Sequence, residues 1–377
     1  MGRRLNDYIN ELRWDFHKRR LYWRGQRASQ SIPFEKMEEP IDFVVAWVDG
    51  ADPKWIADRN SYAREAGLLQ NSEDNGEERY RDWDIFQYWF RAVEKYAPWV
   101  RNVYFLTYGH IPEWMNPDAP KLKIIKHEDY IPREYLPVFS SVPIELNMHR
   151  IEGLSEHFVY FNDDVFLAQP VAPEDFFRGG KPNYTALALP TRPDSSSNFY
   201  HMLFNAYGVA NRHFGSKISQ SVSNHPERWF SAEYGPIAWQ NMHVYEANYI
   251  QGMFFSHLGV PFRKSTLERV WKDVREPLLE TSSHRFRSSK DFTHQIFSLW
   301  EMIEGDFNPV SMAHHGRHFW NPLAQKDEII DAIKNPQYRM ICINDSESIS
   351  REDFLSLKTV FGAAFAEAFP EKSSFEK

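Results

Sequence analysis

Two short apolar runs that end in acidic turns restrict the possible folds more than any other feature of the chain. Ile41–Val48 (IDFVVAWV) stops at Asp49, Gly50, Ala51, Asp52 and Pro53, and Phe158–Phe161 (FVYF) stops at Asn162, Asp163 and Asp164. A run of four to eight residues, rich in β-branched and aromatic side chains and without polar alternation, predicts a strand covered on both faces. Val103–Thr107 and Leu122–Ile125 predict two more strands. Between the first run and Val103, Asp82–Tyr96 has helical spacing, with Ile85, Phe86, Trp89, Phe90 and Val93 on one side, and it stops before Pro98. A helix-like stretch follows from Pro143 to Leu154. Strands alternating with helices predict a doubly wound α/β sheet.

The remaining chain divides by pattern. Asp58–Glu78 reads as a helix followed by an exposed loop, a candidate lid. Past Pro190 helical segments separated by Gly and Pro take over: Phe199–Phe214, Glu227–Gln240 and Asp291–Ile303. Asp327–Lys334, Arg339–Ile343 and Arg351–Phe369 predict a helix, a strand and a final helix. The expected units are a basic N-terminal helical segment (1–40), an α/β lobe (41–190), a mostly helical lobe (191–322) and a C-terminal helix-strand-helix (323–377). At 377 residues with 42% hydrophobic content, the chain can bury one large or two medium cores.

Charge narrows the partners. With 44 basic and 52 acidic residues the net charge is -8, which leaves no overall electrostatic footprint for nucleic acid. Aromatics reach 16%; flat rings cover the apolar faces of sugars as readily as they fill cores. Cys342 is alone, which excludes an internal disulfide and a cysteine-based zinc site, and fits a reducing, cytoplasmic compartment. No apolar run of transmembrane length or signal peptide is present. The first thirty residues interleave Arg3, Arg4, Arg13, Lys18, Arg19, Arg20, Arg24 and Arg27 with aromatic and aliphatic side chains. Such a helix either lies peripherally on an anionic membrane surface or packs on its own protein, and both readings stay open.

In an open α/β sheet, ligands bind beyond the carboxyl ends of the strands, where Asp49 with Asp52 and Asp163 with Asp164 fall. Neighbouring carboxylates repel unless a cation lies between them, and oxygen ligands suit Mg²⁺ or Mn²⁺, which bridge phosphate oxygens. The bland reading is that Asp and Asn here cap helices and turns. The opposite charge comes later in the chain: Arg285 and Arg287 in SSHRFRSSKD offer forked phosphate contacts, and His257 in FFSHLGVPF can move a proton. His314, His315 and His318 in AHHGRHFW form a lesser candidate for metal ligation.

At these residues the chain resembles the Stealth family of sugar-phosphate transferases, which includes bacterial capsule polymerases and the lysosomal-enzyme N-acetylglucosamine-1-phosphotransferase. Ile41–Trp55 is similar to the family's first block. Arg81–Asn116 with His149–Leu167 resembles its second, His225–Trp271 its third and Ser282–Trp300 its fourth. The resemblance implies a Rossmann-like doubly wound sheet of the glycosyltransferase A type with a mostly helical second lobe. It also implies catalytic roles for Asp163, Asp164, His257 and Arg287, with Asp163 and Asp164 as metal ligands, and substrate contacts from Asp49, Gly50, Asp52, Arg81, Asn162 and Arg285. Trp83 follows the Arg81-Asp82 pair where relatives often carry Asn, and the family's large inserted modules are missing, as in its compact bacterial members.

The activity so implied is transfer of a hexose 1-phosphate, such as an N-acetylhexosamine 1-phosphate, from a nucleotide sugar, UDP-linked by expectation, to a hydroxyl on an oligosaccharide or polysaccharide acceptor. The product is a phosphodiester-linked capsular or exopolysaccharide. Two rivals stand beside it: a metal-dependent glycosyltransferase that breaks the anomeric bond, and a glycan-binding protein without turnover.

Overall fold

The computed structural model describes residues 2–68, 80–192, 194, 197–346 and 348–377, with side chains from residue 10 onward. The expected lid over 69–79 lies outside the described residues.

Its central feature is a five-stranded sheet made of β1 (Ile41–Ala46), β2 (Val103–Thr107), β3 (Leu122–Lys126), β4 (His157–Asn162) and β8 (Val260–Arg263), in the order β3-β2-β1-β4-β8. The first four are mutually parallel, and β8 runs antiparallel to β4, with Tyr160 opposite Val260. Strand side chains alternate between faces. Phe43, Val45, Phe105 and Phe161 therefore join one core, and Val44, Leu106, Tyr160 and Phe262 another. The first core is completed by α3 (Phe86–Tyr96) and the helix Arg351–Ala368, the second by the helices Asn198–Phe214 and Gln295–Glu304. Helices thus cover both faces, and the doubly wound α/β expectation holds.

The division expected near Pro190 does not divide the sheet. The chain passes through β5 (Val165–Leu167), β6 (Phe177–Arg178) and β7 (Lys181–Tyr184), enters the helical region, and returns as β8 to the sheet edge. The C-terminal segment is equally committed: β5 pairs with β11 (Met340–Ile343), which pairs with β10 (Arg317–Phe319), while β9 (Asn308–Pro309) extends β7.

Element boundaries differ from expectation where capping decides them. α2 (Pro53–Glu65) begins five residues before Asp58, because Asp52 Oδ1 accepts the Trp55 N–H at 2.6 Å and Pro53 takes the first helical position. α3 begins at Phe86 rather than Asp82: Asp84 adopts φ 54° and its N–H bonds Asp82 Oδ1 at 2.7 Å. That turn frees residues 80–85 to form a wall. Glu227–Gln240 is a short helix, Pro226–Trp229, followed by 3₁₀ turns broken at Gly235 and Pro236. Pro143–Leu154 becomes the helix Ser141–Leu146 and a 3₁₀ turn at Met148–Arg150.

α1 (Gly2–Ser29) docks across the helical region through one face. Gly25 allows that approach, because a Cβ there would lie 2.2 Å from Pro226 O. Lys18 pairs with Glu246 at 2.7 Å, Gln26 donates to Phe230 O at 2.9 Å, and Tyr22 packs edge-on to Phe230 and Trp239. No described helix is long and apolar enough to cross a membrane.

Candidate functional site

β1 and β4 end side by side, Ala46 opposite Asn162, and beyond them opens a cavity of about 490 Å³. Asn162, Asp163 and Asp164 enter it from the tight turn between β4 and β5, and Asp82 from the turn before α3. His257, three residues before β8, and Arg287, in the loop before the helix Gln295–Glu304, complete it from the helical region. The far wall is Ile343–Ser346, the last residue of β11 and the three that follow it.

The acids are crowded. Burial, then the charges of Asp164 and Asp82, pushes the Asp163 carboxyl up to about 8. Asp163 is nevertheless open to cavity water, which screens part of that repulsion. Burial also lifts Asp82 above the usual carboxylate range. Asp164 goes the other way: burial opposes ionisation, but His257 and the Cys342 thiol outweigh it and hold the carboxyl low. His257 Nε2 lies 3.8 Å from Asp164 Oδ2 and 3.5 Å from Asn162 Nδ2. Burial works against its charge, yet Asp164 raises it above the ordinary imidazole range. His318 stacks on His257 at 5.0 Å and is pushed down to about 3 by burial and by the His257 charge, so it stays neutral.

Three features bear on a metal. The Asp164 Oδ1 atom is buried and has no hydrogen-bond partner among the described residues. Ligand atoms of Asp164, His257 and Cys342 lie within 4.8 Å of one another. Asp163 and Asp82 add oxygens whose mutual repulsion a cation relieves. Carboxylate oxygens fit a hard divalent ion, and the Cys342 thiol, which donates to Asp164 Oδ2 at 3.4 Å, keeps its proton because burial raises it well above its usual range.

The other expected residues separate. Asp49 Oδ1 accepts from the Ala51 N–H at 2.9 Å, and its own N–H donates to His110 Nε2 at 2.8 Å. Gly50 is a packing glycine: a Cβ would meet Tyr80 O at 2.0 Å. Asp52 caps α2 and borders a second cavity, about 640 Å³, that shares His127 and Val138 with the first and is also lined by Lys54, Tyr62, Tyr108 and Lys126. Arg285 turns from the main cavity, stacking over Tyr62 at 5.1 Å and donating to Leu136 O at 3.1 Å. Arg81 lines the main cavity, but its fork is engaged by Asp345 at 2.7 and 2.9 Å. The histidines of AHHGRHFW diverge: His314 reaches Asp175 O, His315 reaches Thr185 Oγ1, and His318 meets the site only through its ring contact with His257.

Sequence reasoning missed Asp82, Glu145, Asp345 and Cys342. Glu145 lies behind the site, 2.7 Å from His294 Nδ1 and 3.3 Å from the Tyr160 hydroxyl, which is 2.9 Å from Asn162 Oδ1. Burial disfavours its charge, but His294, Ser141 and Arg287 together hold it below the usual carboxylate range. A lone carboxylate in the apolar stretch VPIELNM was the available signal. Cys342 gave none.

Three stretches match models of the Stealth protein: conserved region 1 at residues 39–66, conserved region 2 at 79–184 and conserved region 3 at 256–315. Region 3 spans both His257 and Arg287, which the motif reading had divided between two blocks. The chain is 41% identical over 345 residues to the capsular polysaccharide phosphotransferase WcwK of Streptococcus pneumoniae, covering 90% of this chain and 100% of that protein. It is 38% identical to the receptor polysaccharide phosphotransferase WefC of Streptococcus gordonii, covering 90% and 100%. It is 37% identical to the exopolysaccharide phosphotransferase cps2G of Lactiplantibacillus plantarum, covering 94% and 100%. Among solved structures, the galactosyltransferase LgtC aligns over 84% of this chain and 95% of its own, at TM-score 0.35 and 10% identity.

Proposed function

Because the chain belongs to the Stealth family of sugar-phosphate transferases, we propose that it carries a hexose 1-phosphate from a nucleotide diphosphosugar to a sugar hydroxyl of a growing capsular or exopolysaccharide. The observation that carries this reading is the meeting of Asp163 and Asp164 with His257 and Arg287 in one cavity at the carboxyl ends of β1 and β4. The acceptor hydroxyl attacks the sugar-side phosphorus, the bond from that phosphorus to the bridging oxygen breaks, and nucleoside monophosphate leaves. The anomeric carbon keeps its oxygen.

His257 in its neutral form receives the proton of the attacking hydroxyl in this reading, with the Asp164 carboxylate stabilising the imidazolium that results, and Asp163 is the alternative acceptor. Arg287 faces the phosphoryl oxygens, where its fork neutralises charge as the transition state forms. Asp163 and Asp164 would hold Mg²⁺ or Mn²⁺, which when bound neutralises diphosphate oxygens and the departing phosphate. Glu145, paired with His294, keeps Tyr160 and Asn162 in place beneath the imidazole. The donor's nucleoside, UDP-type by preference, takes the second cavity, where Tyr62 and Tyr108 offer ring faces and Lys54 and Lys126 are matched by Asp52, Asp58 and Glu128. The acceptor glycan enters from the aromatic side of the main cavity, at Trp55, Tyr80 and Phe139. In this reading the reaction runs in the cytoplasm.

The test is product analysis. Incubation with a panel of nucleotide sugars, acceptor glycan and Mg²⁺ gives nucleoside monophosphate and a phosphodiester signal in phosphorus NMR. Release of nucleoside diphosphate with a phosphate-free glycoside would identify an ordinary glycosyltransferase instead.

A further inference from the structure

α1 is fixed to the protein by one face, and this determines what the opposite face presents. Lys18, Leu21, Tyr22 and Gly25 form the docked side. On a helix of 3.6 residues per turn, Leu12, Phe16 and Trp23 fall within roughly 40° of one another on the opposite side. They are 51, 70 and 58% exposed. Arg19 flanks this stripe on one edge, and Arg13, Arg20 and Arg27, spaced by sevens, flank it on the other; all four are exposed. Glu11 and Asp15 both project toward the docked side, where Asp15 pairs with Lys18 at 3.0 Å. Between residues 10 and 29 the outward face therefore carries four guanidinium groups and no carboxylate, on a chain whose net charge is -8. Trp239, 41% exposed, packs on Tyr22 at the edge of the docked side.

An apolar stripe of Phe, Trp and Leu bordered by arginines is a poor solvent-facing surface, because each large side chain gains by leaving water. The charge pattern selects the occupant. A protein face or neutral bilayer would cover the stripe and leave four cations to be matched one by one. A bilayer rich in anionic headgroups takes the rings to the acyl boundary and the guanidiniums to the phosphates together. We infer that the outward face of α1 docks this enzyme on an anionic membrane surface through Leu12, Phe16 and Trp23, with Arg13, Arg19, Arg20 and Arg27 on headgroup phosphates. The helix is long and tied down at Lys18, Tyr22, Gly25 and Gln26, so docking holds the whole molecule at a fixed tilt.

Co-sedimentation of the full chain with vesicles tests this. Wild type is expected to pellet with phosphatidylcholine vesicles containing phosphatidylglycerol, to stay in solution with phosphatidylcholine alone, and to be released by high salt. Replacing Arg13, Arg19, Arg20 and Arg27 together by Gln should weaken partitioning on the order of a thousandfold. Phe16→Glu with Trp23→Glu should abolish it. Both variants should keep wild-type turnover on soluble substrates, which reports an intact fold and site independently of docking. Equal binding to both lipid compositions, no binding to either, or retention by the variants would overturn the proposal. So would a concentration-dependent dimer, lost in the Phe16→Glu variant, with no vesicle binding.

Discussion

Replacing Arg287 by Ala separates the chemistry of the site from its architecture. The guanidinium charge reaches Glu145, Asp291 and His257. Each of the two carboxylates keeps a nearer partner without it: His294 at 2.7 Å from Glu145, and His284 at 2.5 Å from Asp291. Neither Glu145 nor Asp291 is stripped of its closest neighbour, so the stability loss through them should be about 1 kcal/mol, or a melting shift of about 2 °C. The rate effect is of another order. A preorganised cation facing developing phosphoryl charge contributes about 3 kcal/mol, a loss of more than a hundredfold in turnover. Arg287→Lys keeps the charge and loses the fork, and should recover about tenfold of the deficit. Nucleoside monophosphate release and a thermal melt on the same preparations give both quantities. Turnover within a few fold of wild type in a folded Arg287→Ala protein would refute the assignment.

Chelation with EDTA should abolish turnover, and Mg²⁺ or Mn²⁺ should restore it; Asp163→Asn should not be restored at any metal concentration tried. The Glu145–His294 pair predicts a pH dependence of stability. Its carboxyl is held below the unfolded value of about 4.3, so the pair contributes fully above that pH and is lost as pH falls through the lower folded value. Urea unfolding of wild type and Glu145→Gln between neutral pH and pH 3 should show the wild-type advantage shrinking below about pH 4.

The parallel strands were legible because each is buried on both faces and so reads as an unbroken apolar run. Asp163 and Asp164 were legible for the same reason, since the run stops where the cavity opens. What escaped depends on pairings distant in sequence. Cys342 meets Asp164 only because β11 runs antiparallel to β5, with Cys342 opposite Val165. Asp345 is found only once Arg81 is seen to grip it. Asp49 and Asp52 look like the Asp163-Asp164 pair in sequence, yet they close a turn and cap α2; side-chain oxygen satisfied by a nearby N–H leaves no trace in the residue types.

The pairing of β5 with β11 makes the centre a composite of distant parts of the chain. Asp163 and Asp164 come from one span and Asp82 from an earlier one, the imidazole and guanidinium from a third, and the rear wall, with the thiol at Asp164 and the carboxylate holding Arg81, from a fourth. Sugar preference in such an enzyme cannot be transplanted by exchanging one loop with a relative: a graft of residues 157–167 that leaves 340–346 behind would set new acids against an old wall. The two stretches are a single heritable unit, and a chimaera must move them together.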